Sequence, residues 1–155
     1  MKNVEERMYA LGKIIEELSI MEENSFSEMM EEIELMEGNI FSYGLDEYLV
    51  LTEEEVYNLL KDRIQKSLWA LNPSFLESVT GLPAEAFKEL AEKCESGNDA
   101  VRALVDKTCG IDRLIERVTL SNRRGYFLAD YDGVEHVSII HRPDRDVVYY
   151  IYRLN

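Results

Sequence analysis

Glu28, Glu31, Glu32, Glu34 and Glu37 crowd into ten residues that contain no lysine or arginine. They sit inside a longer run: the 47 residues from Ile14 to Leu60 carry 14 carboxylates and no basic side chain. Side chains of that type in that number either recognise cations and basic surfaces or form a solvated face. Residues 1–60 hold 16 Asp/Glu against Lys2, Arg7 and Lys13, residues 61–120 hold ten acids against nine bases, and residues 121–155 hold five of each. A field of one sign over part of a molecule attracts basic protein surfaces and repels bare nucleic acid. Carboxylates three and four apart on a helix repel by about 0.2–0.5 kcal/mol per pair, a cost that a mixed surface would avoid. Glu16, Glu17, Glu22, Glu23, Glu28, Glu31, Glu32, Glu34 and Glu37 are therefore the candidate partner-binding residues.

Catalytic chemistry is poorly served. The two histidines, His136 and His141, are five apart in a strand-like run, and an odd separation puts them on opposite faces, so they do not share a metal. Asp130 and Glu135 flank the Asp132–Gly133 turn signal and would face one another across a hairpin, with Ala129 opposite His136. Such a pair, helped by His136, Tyr131 or Arg124, is the one arrangement suited to general acid/base work. No nucleophile elbow, phosphate-binding loop or HExxH zinc motif occurs, and Asp130, Asp132 and Glu135 lack the spacing of a calcium loop. No catalytic residue, metal or cofactor is expected.

A second surface is Arg124, Tyr126, Tyr131, Tyr149 and Tyr150, since aromatics and arginines on a sheet can stack single-stranded bases. Against it, aromatic residues favour strands for packing reasons. The region's net charge is zero, in a chain of −14 that cannot neutralise phosphates.

Heptad-like spacing of Val4, Met8, Leu11, Ile15 and Leu18, with Ile14 and Met21 alongside, predicts an amphipathic helix. Ser25 and Glu28 read as the capping box of a second helix that buries Phe26, Met29, Met30, Ile33 and Met36 and stops at Gly38–Asn39. Tyr48–Leu51 is a short strand or an extended connection. Thr52 with Glu55 caps a third helix through Leu71, where Glu53, Glu54 and Glu55 suit the helix dipole. Asn72–Pro73, Pro83, Asn98 and Ile111 begin four short helices. Tyr126–Tyr131, Val134–Ile140 and Val147–Arg153 then read as a three-stranded antiparallel meander. The expected fold is α+β and mostly helical: one domain over 1–155, with an acidic helical subregion 1–71, a short-helix subregion 72–120 and a β-meander 121–155. A fragment starting near residue 70 is expected to keep the sheet.

The ending Arg124-Gly125-Tyr126-Phe127-Leu128-Ala129-Asp130-Tyr131-Asp132-Gly133, with Glu135-His136 and Tyr149-Tyr150-Ile151-Tyr152-Arg153-Leu154-Asn155, resembles that of small uncharacterised accessory proteins of Gram-positive phages and integrative elements. The acidic N-terminal residues fall outside the likeness. The resemblance implies a mobile-element setting, in which small acidic proteins block host restriction or CRISPR nucleases by imitating DNA.

The expectation is a non-enzymatic, cytoplasmic binding protein whose carboxylates stand in for phosphates on a basic surface of a host nucleic-acid-binding protein or nuclease, without binding nucleic acid or membrane itself. The apolar runs are too short to span a bilayer, the polar N-terminus excludes a secretory signal, and Cys94 and Cys109 suit reduced structural thiols. A structural homo-oligomer built on Met8, Met21, Met29, Met30 and Met36 is the alternative. A small enzyme or RNA-binding module on the C-terminal sheet comes third.

Overall fold

The computed structural model describes residues 3–18, 25–93 and 95–155. Glu22, Glu23, Met21 and Cys94 lie outside the described residues. Two compact units form, residues 1–56 with 124–155 (the sheet unit) and residues 57–123 (the helical unit). Among the described residues the chain is α+β and mostly helical, with one five-stranded antiparallel sheet.

The sheet unit starts with α1 (Val4–Leu18), which buries Arg7, Ala10, Leu11, Gly12, Ile14 and Ile15 and leaves Leu18 exposed. Next comes α2 (Phe26–Glu31), capped by the Ser25 side chain accepting from the Glu28 N–H. A Cβ on Gly12 would collide with Met30 Sδ and press to 3.3 Å on the Phe26 ring, so glycine lets α2 lie close against α1.

Here the structure departs from the second predicted helix. That helix ends after one and a half turns, and the chain continues as β1 (Ile33–Glu37) and β2 (Ile40–Tyr43). The Ile33 and Met36 spacing fits a helix, but Ile33 and Leu35 point to the core while Glu34 and Met36 point away, which is the period of a strand. Gly38–Asn39 is the two-residue hairpin turn between Glu37 and Ile40, with Gly38 at φ +53°, and not a helix stop. Tyr48–Leu51 belongs to β3 (Asp46–Leu51).

The predicted three-stranded C-terminal meander is also corrected. Tyr126–Tyr131 does not form a strand: α8 (Arg124–Leu128) and a turn occupy it, because Gly125, Leu128 and Ala129 are the positions that bury, at helical spacing. Gly133 turns the chain back on α8 through its N–H to the Ala129 carbonyl, so Ala129 does not pair with His136. Only β4 (His136–His141) and β5 (Asp146–Arg153) come from this end, and β5 inserts beside β3 to give the order β1-β2-β3-β5-β4. A fragment starting near residue 70 would lack three of the five strands.

One sheet face packs under α1 through Ile33, Phe41, Tyr48, Val50, Tyr149 and Ile151, with Met29 from α2. The other carries Leu49, Leu51, Tyr150 and Tyr152, the cross-strand partners read from the register.

The helical unit follows the sequence closely. After the later part of α3 (Glu53–Lys66) and a 3₁₀ turn (Leu68–Ala70) come α4 (Pro73–Thr80), α5 (Ala84–Lys93), α6 (Gly97–Lys107) and α7 (Ile111–Leu120). Asn72 caps α4 by accepting from the Ser74 N–H, and Gly81 ends it in the left-handed region. Asn98 does not cap α6: it lies inside the first turn, donates to the Gln65 carbonyl and accepts from the Trp69 N–H. Leu60, Ile64, Leu68, Leu71, Leu76, Phe87, Val101, Val105, Leu114, Ile115 and Val118 are the buried apolar side chains of this unit among the described residues.

Candidate functional site

Charge divides between the units completely. Residues 1–56 and 124–155 contain 21 Asp/Glu and seven Lys/Arg, a net of −14, whereas residues 57–123 contain ten of each. The whole formal charge of the chain belongs to the sheet unit.

Within that unit the carboxylates fall into two populations. The first is neutralised inside the fold. Glu6 accepts from Arg142 at 2.6 and 2.7 Å and from the Tyr149 hydroxyl. The Arg142 hydrogen bond outweighs burial and holds the Glu6 carboxyl below its ordinary pKa. Glu55 binds the buried Arg7 guanidinium, the Asn39 amide at 2.7 Å and the Thr52 hydroxyl at 2.9 Å, while Arg7 also donates to the Val50 carbonyl at 2.6 Å. Arg124, 8% exposed, joins Glu53 at 2.7 Å and Glu135 at 2.9 Å, and its guanidinium lies 4.5 Å from the Tyr150 ring centroid. Tyr152 donates its hydroxyl to the same Glu135. Burial alone would make Arg124 easier to deprotonate; the Glu135 hydrogen bond and the surrounding negative charges override this and raise its pKa. Burial, then Glu135, raises the Tyr152 pKa.

These networks leave no local sign in the sequence. Glu53 and Glu55 sit where the helix dipole explains an acid, so nothing local reveals that they satisfy arginines 71 and 48 residues away.

The second population faces solvent. Glu16 and Glu17 are exposed in the last turn of α1, Glu28, Glu31 and Glu32 on and just after α2, and Glu34 and Glu37 on β1. Glu16 has Lys13 at 3.6 Å. Among the described residues none of Glu28, Glu31, Glu32, Glu34 and Glu37 pairs with a basic side chain. The α2–β1 segment thus presents five candidate glutamates from consecutive elements, and α2 packs on α1.

The alternative aromatic surface is not assembled. Arg124 is buried in its ion pairs, and Tyr149 is 1% exposed beneath α1, with the Arg7 guanidinium over its ring. Tyr150 packs on Arg124. Tyr126 and Tyr131 are exposed, the latter stacked on Arg153 at 3.9 Å. Glu135 is engaged by Arg124 and Tyr152, which removes it from the proposed couple with Asp130. His136 pairs with Ile151 and His141 with Asp146, on opposite faces of β4 as their spacing requires. Among the described methionines, Met29 is buried, Met8 and Met30 are half-buried against the core, and Met36, expected inside, is 54% exposed.

Among the described residues no group of three or more His, Cys, Asp or Glu is placed to hold a metal ion, and no helix is long and apolar enough to cross a membrane. The chain matches no family model, no curated protein and no solved structure.

Proposed function

We propose that this protein is a non-enzymatic acidic binding protein that docks its sheet unit onto a basic groove of a nucleic-acid-processing protein, its exposed carboxylates standing in for phosphates. The observation that carries the reading is the segregation of charge: the sheet unit satisfies its own arginines internally and still displays Glu28, Glu31, Glu32, Glu34 and Glu37 without cationic neighbours. A surface selected only for solubility would interleave bases, as the helical unit does. The resemblance of the C-terminal stretch to mobile-element proteins supports a host restriction or CRISPR nuclease as the target class, and cytoplasmic action with it.

The test is displacement of labelled DNA from such nucleases by the purified protein at low salt. Displacement that weakens steeply with added salt is expected, because screening acts on exposed charges. The variant E28K/E31K/E32K/E34K, folded by circular dichroism, loses it. Unchanged displacement by that variant would overturn the reading.

A further inference from the structure

We infer that the free edge of β4 is a strand-addition site for an extended cationic segment of a partner protein. The sheet has two edges, and they are built differently. At the β1 edge the register shifts between Leu35 and Glu37, and Glu34 and Glu37 project from the strand. Bulges and charges of this kind discourage another chain from pairing. The β4 edge has neither: His136-Val137-Ser138-Ile139-Ile140-His141 pairs with β5 in unbroken register and contains no carboxylate, lysine or proline.

The ladder identifies which backbone groups are open. The Arg142 N–H donates to the Arg145 carbonyl at 3.0 Å, which makes that pair a hydrogen-bonded one. Antiparallel pairs alternate, so Ile140, Ser138 and His136 bond to β5, while Val137, Ile139 and His141 aim their N–H and C=O groups away from the sheet. Among the described residues no strand lies beyond β4 in the sheet. Val137 and Ile139 are also 48% and 53% exposed, an apolar side-chain pair beside three open backbone positions.

A groove of about 730 Å³ runs along this edge, lined by Tyr9, Lys13 and Glu17 of α1 and by residues 137–141. Glu6 holds Arg142 just beyond β4, so α1 runs back along the strand. Eleven residues of helix cover about 16 Å, and five residues of strand cover the same distance, which carries Glu17 to the Val137 end. The occupant's charge follows. Lys13 is already engaged by Glu16 and by the Tyr9 and Phe26 rings, and His141 by Asp146, which leaves Glu17 as the available charge in a unit of −14. An extended segment alternating apolar and basic residues matches both features. A second copy of this chain would bring another −14 to the same edge.

The inference rests on the proposed function only for the sign of that charge. The probe is a fluorescein-labelled peptide Val-Arg-Val-Arg-Val-Arg-Val, read by anisotropy on the full-length protein. Ile139→Pro removes a donor that the native ladder does not use, and Ile139→Lys leaves the backbone intact but adds a charge at the edge. Both are expected to weaken binding at least tenfold and Glu17→Lys several-fold, whereas E28K/E31K/E32K/E34K retains the edge's dependence on Ile139. Equal peptide binding by wild type and both Ile139 variants overturns the site, whatever the nuclease assay gives. A concentration-dependent dimer abolished by Ile139→Lys also overturns it, in favour of a second copy. Loss of DNA displacement in the quadruple variant but not in the Ile139 variants separates the acidic surface from the edge.

Discussion

The sheet unit and the helical unit solve the same packing problem with different materials. The helical unit is held by short amphipathic helices, α4 with local caps at Asn72 and Gly81, and most of its ion pairs among the described residues, such as Lys66–Asp62 and Lys88–Glu85, are exposed and three or four residues apart, with Lys61–Asp112 the long-range exception. Pairs of that kind contribute little. The sheet unit joins strands about a hundred residues apart, embeds Arg7 in a network 48 residues wide, and ties its two chain segments together through Arg124–Glu53 and Arg142–Glu6. Its stability therefore depends on long-range polar contacts, and its remaining candidate carboxylates among the described residues face solvent.

Substituting a glycine in each unit gives the largest contrast. A Cβ on Gly125 would fall on the Gly133 carbonyl oxygen and within 3.0 Å of the Glu135 nitrogen, all of it backbone. Gly125→Ala is expected to cost about 4 kcal/mol, at the upper end for one substitution. Gly97→Ala in α6 meets the Leu90 carbonyl at 3.1 Å and ordinary contacts beyond, and should cost about 1 kcal/mol. Near-UV tyrosine dichroism follows the sheet unit, where Tyr149 and Tyr152 are buried, and fluorescence of the single tryptophan, Trp69, follows the helical unit. A smaller loss in Gly125→Ala than in Gly97→Ala would mean that α8 is not tightly seated.

Arg124→Met comes next. Removing one partner of a buried pair strands the other, and the loss expected is about 3 kcal/mol, since Glu135 keeps only Tyr152. The double variant Arg124→Met/Glu135→Gln should recover part of it. No recovery in denaturant melts would show that Arg124 acts through packing on Tyr150 alone.

How much of this was legible depends on where each signal resides. The helices of 72–120 were readable because Asn72, Pro73, Gly81 and Pro83 act within a turn of themselves, and the buried Phe87, Val101, Val105, Leu114, Ile115 and Val118 follow the helical period. Ile33–Glu37 is ambiguous in the sequence because Met29, Met30, Ile33 and Met36 satisfy a helical spacing over the same residues that alternate as a strand. The insertion of β5 beside β3 has no local signature at all. Among the site residues, the acidic segment was legible from composition, whereas the engagement of Arg124, Tyr149, Tyr150 and Glu135 in internal contacts was not.

Acidification distinguishes the units more gently. Glu6 is held below its ordinary pKa, so the folded sheet unit binds fewer protons there than the unfolded chain does. The stabilisation is present above the ordinary carboxylate pKa and is lost as the pH falls through the depressed one. Tyrosine dichroism is expected to report acid unfolding, and Arg142→Ala should flatten that limb by removing the main cause of the shift. In the helical unit Asp112 is lowered by its hydrogen bond with Tyr57 and then by Lys61, but this group is exposed and screened. Asp112→Asn should leave the Trp69 transition unmoved.

The smallest effect separates crowded from balanced charge. Glu31 lies in the last turn of α2, three residues after Glu28 and with no base beside it. Glu31→Lys replaces a repulsion by an attraction and suits the negative end of the helix, so it should stabilise the sheet unit by about 0.5 kcal/mol at low salt. The gain should shrink as salt is added, since exposed charges are screened. Glu116, on α7 of the helical unit, has Arg113 three residues before it as well as Asp112 four before, so Glu116→Lys gains one neighbour and loses the other. No gain is expected there. Equal stabilisation by the two substitutions in thermal melts would mean that the excess charge strains the whole chain uniformly; a gain confined to Glu31→Lys would mark the α2–β1 segment as the place where stability is given up for an acidic surface.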